Sequence, residues 1–467
     1  MGGLVRSLSG ALAFAAMPLV PCHIEGFSEE VLCGTHRVFE DRAARTGRTI
    51  DLKVAVVPAL RREGAPDPLF LLAGGPGQGA TKYGPLIPTA FKEVRKTRDV
   101  VLVDLRGTGG SNPLGCDLGD PLTFLKEGDI DASSCLRELK GDPRFYTTEP
   151  AVDDLDEVRA ALGYERINLW GGSYGTRAAL VYARRHPDRV RTVVLDGAAP
   201  FEIALPLYNA WGAQRAMDRL LADCAAEPEC RTAYPRLREE LAEVFARLDQ
   251  GPVRTSLHHP RSGKPVEISI TRGGFASGLR GMLYTPAHAS LIPWVVHSAR
   301  QGDFAPFATL TLETASWSTE TMSLGMTLSV LCSEDVHRIR DEEAEREVRG
   351  TFAGTFEIDA WRRMCEDWPR GPVPALDRRL LRVPALILSG DLDPVTPPRW
   401  GEAMKKHFPG ALHVVVPGTA HNTSTTGCVP DLIARFVDQG GAGGIDPSCV
   451  RKVRRPPFVI DPSGTAP

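Results

Sequence analysis

Five residues, Gly171-Gly172-Ser173-Tyr174-Gly175, constrain this chain more than any others. They follow the apolar run Arg166-Ile167-Asn168-Leu169-Trp170, which reads as a strand, and precede Thr176 to Arg185, which reads as a helix. A serine between strand and helix, with glycine two positions before and two after it, fits a turn so tight that a Cβ at either glycine would clash. The turn pushes the hydroxyl into the open, and the helix N-terminus behind it favours developing negative charge. Ser173 therefore reads as a nucleophile; the competing reading is a packing turn.

The surrounding pattern alternates strand and helix. Ile50 to Val57 and Leu69 to Ala73 are apolar β-type runs, and the second breaks into Gly74-Gly75-Pro76-Gly77-Gln78-Gly79. Asp99 to Asp104 reads as a buried parallel strand, and residues 151 to 162 carry a helical period. After Val190 to Leu195 the chain reads as helices until Val383, where Val383 to Ser389 and then Leu412 to Val416 restore the β pattern before a last helix at Asp431 to Val437. The expectation is an α/β fold with a mostly parallel central sheet, its core formed by 21–200 and 381–450 and a mainly helical cap inserted at 201–380. Residues 1–20 read as a signal-like segment and 451–467 as a solvated Pro-rich tail. Neither an internal repeat nor a phosphate-binding or complete dinucleotide fingerprint is present.

A serine hydroxyl needs a base, and the base needs an acid to fix its tautomer. Where a strand–serine–helix turn of this kind is catalytic, the chain order is serine, acid, histidine. Of eleven histidines only His407, His413 and His421 follow the resumed β pattern, and His421 alone lies on the loop beyond the final strand. Gly390-Asp391-Leu392-Asp393-Pro394 offers two carboxylates; Asp393 is preferred because prolines stiffen the loop beyond it, while Asp391 is placed to cap the turn. Asp196 is an outside candidate whose simpler reading is a turn residue before Gly197. The backbone N–H of Tyr174 and one from the glycine-rich loop, with Gly75 chosen and Gly74 adjacent, are the donors expected for an oxyanion.

Ala73-Gly74-Gly75-Pro76-Gly77, Asp104-Leu105-Arg106-Gly107-Thr108-Gly109-Gly110-Ser111, Gly171 to Gly175 and Gly390-x-x-Asp393-Pro394 together resemble the proline iminopeptidase and tripeptidyl aminopeptidase group of α/β-hydrolases. Cys33-Gly34-Thr35 and the Cys332/Cys365 pair look like the secreted tripeptidyl branch. The resemblance implies the α/β-hydrolase fold, gives Ser173, Asp393 and His421 the triad roles, and implies a peptide or small ester substrate without cofactor or metal. This sequence departs from the group where a histidine usually precedes the glycines: Ala73 stands there, removing one side chain that braces the loop. An aminopeptidase must also meet a cationic N-terminus, which nominates Glu334 and Asp335 after Cys332; a solvated helix start is the competing reading. Trp294, Trp317 and Trp361 are candidates for an apolar pocket or for core packing. A carboxylesterase would use the same machinery, so the cap alone separates the two activities.

Ten cysteines fall into the short-range pairs Cys22/Cys33, Cys116/Cys135, Cys224/Cys230, Cys332/Cys365 and Cys428/Cys449, none with Cys-x-x-Cys spacing. They read as a disulfide ladder and imply export to an extracellular or periplasmic space, with buried thiols as the alternative. The apolar run Ala11 to Val20 is too short for a membrane span and has signal-segment length. A net charge of -3, with one basic cluster at Arg451 to Arg455, excludes a nucleic-acid partner. Oligomeric state is not legible in the sequence.

Overall fold

The computed structural model describes residues 17–116, 132–258, 263–373 and 379–460, the side chains of 314–320 apart. Among the described residues there are eleven strands: β1 (Val20–Ile24), β2 (Phe27–Phe39), β3 (Thr49–Val57), β4 (Leu69–Leu72), β5 (Val100–Val103), β6 (Ile167–Gly172), β7 (Val190–Asp196), β8 (Val253–His258), β9 (Pro265–Ile270), β10 (Ala385–Gly390) and β11 (Leu412–Val416). Nine of them form one sheet in the order β1-β2-β3-β5-β4-β6-β7-β10-β11. From β5 to β11 every neighbour is parallel, while β1, β2 and β3 add an antiparallel edge.

Parallel strands need both faces covered, and the sequence supplies apolar residues on both. In β5, Val101 and Val103 join one core cluster with the helices Thr148–Ala161 and Tyr174–Arg185. Val100 and Leu102, one pleat out of step, join the opposite cluster with Trp170 and the helix Val429–Gln439. The order β5-β4-β6 carries one crossover to each side of β4, so a crevice opens beyond the C-terminal ends of β4 and β6. The Gly74–Gly79 loop leaves β4 there, and Ser173 leaves β6 there.

Between β7 and β10 lie helices with their own apolar core, in which Phe275 packs 4.5 Å from Phe307 and 5.5 Å from Phe245. Three features, the last of them the C-terminal tail, depart from the sequence-based expectation. The inserted segment is not purely helical: β8 and β9 pair as an antiparallel hairpin whose polar, half-exposed strands lack an apolar run. The early strands β1 and β2 were likewise hidden, because edge strands alternate too weakly to be read; β1 also begins at Val20, inside the stretch assigned to the signal-like segment, whose residues 1–16 lie outside those described.

The tail is also not simply solvated. Phe458 is buried in the inserted segment's core, Val459 N–H donates to Ser290 O at 3.1 Å, and Arg455 reaches Glu227 at 3.2 Å, while Arg451 and Arg454 stay exposed. All ten cysteines are paired, in the five combinations expected. No described helix is long and apolar enough to cross a membrane.

Candidate active site

The turn at Ser173 is as tight as its glycines require. A methyl group on Gly171 would come within 2.3 Å of Gly175 O, and one on Gly175 within 2.1 Å of Leu72 O. Ser173 itself is held at φ 56° and ψ -122°, a left-handed conformation that a side chain rarely adopts. Its N–H donates to Asp196 O at 2.9 Å, and its carbonyl accepts from Thr176 N at 2.9 Å and Thr176 Oγ1 at 2.6 Å. Strain of this kind persists where surrounding bonds over-determine it.

His421 lies on the loop after β11. Its Nδ1 meets Asp393 Oδ2 at 2.8 Å and Thr396 Oγ1 at 3.1 Å. Asp393 is fully buried and also accepts from Val395 N (2.7 Å), Thr396 N (2.8 Å) and Thr396 Oγ1 (2.8 Å). Burial works against its charge, yet His421 and the two backbone donors outweigh it and hold the carboxyl below its ordinary range. Burial likewise works against a charged His421, and Asp393 outweighs it, so the imidazole is raised. With Nδ1 engaged, Nε2 is the ring nitrogen left to accept a proton. Ser173 Oγ and His421 Nε2 make no hydrogen bond to each other here; apo triads commonly tighten only with substrate.

The two other acids do different work. Asp391 accepts from Gly418 N at 2.8 Å and so caps the turn leading to His421. Asp196 exceeds the turn role expected of it: its carboxylate takes Thr423 N at 2.8 and 2.9 Å, Ser424 N at 2.8 Å and Ser424 Oγ at 2.6 Å. Since Ser173 N binds the carbonyl of this same residue, Asp196 ties the nucleophile turn to the histidine loop.

The glycine-rich loop reaches Ser173 directly: a methyl on Gly74 would lie 3.2 Å from Ser173 Cβ. Gly75 adopts φ 107°, and neither its N–H nor that of Tyr174 has a partner among the described residues. The brace missing at Ala73 is replaced by Tyr83, whose hydroxyl accepts from Gly74 N at 2.9 Å and donates to Gln78 Oε1 at 3.0 Å. Burial pushes that hydroxyl up to about 12, so it stays protonated.

Glu334 and Asp335 are corrected. Neither faces a cleft as a free anion: Asp335 pairs with Arg177 at 2.8 Å and Arg338 at 3.4 Å, and Glu334 accepts from Thr148 N at 2.8 Å and Thr148 Oγ1 at 2.9 Å. Both are buried, and burial lifts the Glu334 carboxyl to about 7. Of the tryptophans, Trp294 and Trp361 pack against apolar clusters of the inserted segment, and the Trp317 side chain lies outside the described residues.

Another carboxylate, Glu357, is linked to His421 through Arg280 and Tyr284, and sequence reasoning missed it. Tyr284 O accepts His421 N at 3.1 Å, and the two rings meet edge to face at 5.3 Å. Arg280 bonds Tyr284 Oη at 3.1 Å and Glu357 Oε1 at 3.1 Å, and Asn209 Nδ2 adds 2.9 Å to the same oxygen. Glu357 Oε2 has no partner among the described residues, and its side chain is 27% exposed. Glu357 gives no local signal, because its neighbours come from helices far away in sequence.

The sequence matches the α/β-hydrolase fold family over residues 67–273 and a TAP-like protein family over residues 352–449. It is 26% identical to the serine protease Hip1 of Mycobacterium tuberculosis over 413 residues, 80% of this chain and 78% of that protein. It is 31% identical to the tripeptidyl aminopeptidase of Streptomyces coelicolor over 193 residues, 36% of this chain and 35% of the relative. The proline iminopeptidase of Neisseria gonorrhoeae is 31% identical over 152 residues, 32% of this chain and 37% of the relative. The fold and these relatives define an enzyme, a serine hydrolase built on a mostly parallel sheet. The chain has the α/β-hydrolase fold and resembles the group of the proline iminopeptidases and tripeptidyl aminopeptidases.

Proposed function

We propose that this chain is an exported serine aminopeptidase that removes N-terminal residues or short peptides through an acyl-enzyme on Ser173. The observation that carries the reading is the buried Asp393–His421 pair, tied through Asp196 to a strained Ser173 beside two unpaired N–H groups. Ser173 Oγ attacks the scissile carbonyl as His421 Nε2 takes its proton, and Asp393 holds the tautomer and stabilises the imidazolium. The oxyanion accepts from Gly75 and Tyr174 N–H. Collapse expels the amine, which takes the proton from His421, and leaves an ester on Ser173. Water, deprotonated by His421, then attacks that ester and restores the hydroxyl.

Export is supported by the five disulfides, and the peptide substrate by the aminopeptidases among the relatives. For recognition of a free N-terminus, Glu357 is the better carboxylate than Glu334 or Asp335, because one of its oxygens is unpartnered and Arg280 links it to Tyr284, whose carbonyl holds His421 N. An acetylated substrate would leave that carboxylate without its ammonium, at about 1 to 3 kcal/mol. Free peptide amides should thus be cleaved at least about tenfold faster than acetylated ones, and Glu357→Gln should erode the preference more than it slows ester hydrolysis. Equal cleavage of acetylated and free peptides overturns the aminopeptidase reading, and activity confined to simple esters replaces it with a carboxylesterase.

A further inference from the structure

We propose that Gln78 is a further catalytic residue, whose side-chain amide donates to the developing oxyanion beside Gly75 and Tyr174; this rests on Ser173 being the nucleophile. The argument begins at Tyr83. Its oxygen accepts the Gly74 N–H at 2.9 Å, and its single proton goes to Gln78 Oε1 at 3.0 Å. The reversed amide would aim two donors at one phenol oxygen and strand the buried hydroxyl proton. The relay therefore fixes the orientation of the carboxamide and turns its two N–H groups away from Tyr83.

Those N–H groups have no partner among the described residues, and the side chain is only half-buried. A methyl on Gly74 would lie 3.1 Å from Gln78 Oε1 and 3.2 Å from Ser173 Cβ, so amide and nucleophile flank the same glycine. Its backbone is fixed from two directions: Gln78 N donates to Gly74 O at 3.3 Å, and Gln78 pairs in an isolated antiparallel bridge with Met322 of the cap. Next to it, Ser323 N donates to Gly77 O at 3.0 Å and Thr327 Oγ1 to Pro76 O at 2.5 Å. A donor held this way needs no reorganisation as charge appears on the carbonyl oxygen.

The test uses the full chain and starts with a fluorophosphonate probe on the wild type. Labelling at Ser173 secures the premise, and its absence under conditions that label a control serine hydrolase overturns the triad reading instead. Gln78→Glu keeps the acceptor for Tyr83 and the shape of the side chain but removes both donors. It should lower kcat for a peptide amide by about a hundredfold with KM little changed. Affinity for a peptide aldehyde, which forms a hemiacetal oxyanion on Ser173, should fall in proportion, while inhibition by the product peptide stays the same. Gln78→Met should lose nearly as much, and Tyr83→Phe, which frees the amide to rotate, should lose less. Turnover of Gln78→Glu within twofold of wild type overturns the proposal. So does a loss of kcat without a matching loss of aldehyde affinity, which would mark a merely structural residue.

Discussion

Ser173 is held at φ 56° and ψ -122°, where a Cβ costs on the order of 1 to 3 kcal/mol. The strain is tolerated because it exposes the hydroxyl. Ser173→Ala should remain folded and lose hydrolysis by several orders of magnitude, as removal of a triad member does. Ser173→Gly should be equally inactive yet more heat-stable than Ser173→Ala by about 1 kcal/mol, since only glycine adopts this conformation freely. A thermal melt of the two variants checks the ordering; Ser173→Ala the more stable would show that the turn is unstrained.

His421 adds a pH prediction at the same scale. Its imidazole is raised above its ordinary 6.5, burial being outweighed by Asp393, with Asp196 adding to the rise and Arg280 opposing it. The base must be neutral, so kcat/KM should climb through an acid limb centred above pH 6.5. A raised histidine stabilises the fold below its unfolded value and gives up that stability as pH rises through the folded one, so this contribution declines as activity appears. The lowered Asp393 behaves oppositely: its contribution is present above its ordinary 3.8 and fades in acid. Asp196→Asn should move the limb towards acid by removing one anion, and Asp393→Asn should lower turnover by about 10⁴. A limb unmoved in Asp196→Asn would sink the coupling described between that carboxylate and His421.

Among the elements, the segment between β7 and β10 holds each of the three loops proposed as catalytic. The helix Leu324–Glu334 holds the glycine-rich loop through Ser323 and Thr327. The helix Arg272–Met282 runs into Tyr284, whose carbonyl holds His421 N. The helix Asn209–Ala226 sends Arg215 to the carbonyls of Asp391 at 2.9 Å and Asp393 at 3.1 Å. The Cys332–Cys365 bond fixes the first of these helices to Phe356–Cys365, which carries Glu357. Opening it with Cys332→Ser and Cys365→Ser should cost about 2 to 4 kcal/mol of stability. Because both helices bear on the site, it should also lower kcat and the preference for free N-termini together. Loss of stability with kinetics intact would mean that the helix contacts alone keep the loops in place.

For the whole molecule, what the sequence determined is what lies within a few residues of itself. The glycines around Ser173, the buried strands β4 to β7, β10 and β11, the cysteine pairs and the position of His421 after the last strand follow from backbone sterics, side-chain periodicity and chain order. Asp393 could be nominated as the acid because its loop begins where a readable strand ends. What only the tertiary structure decided depends on segments distant in the chain. Glu334 met Thr148, 186 residues away, and Arg177, and so became an internal partner instead of an open anion. Asp196 met Thr423 and Ser424, 227 and 228 residues on, and became the tie between the Ser173 turn and the His421 loop. Glu357 gained its setting from Asn209 and Arg280, and the polar strands β1, β2 and β8 were defined by partners and not by any apolar run. The physical reason is the same throughout: a charged or polar side chain has no fixed role until burial removes its water and a partner replaces it, and both come from the chain's return to itself.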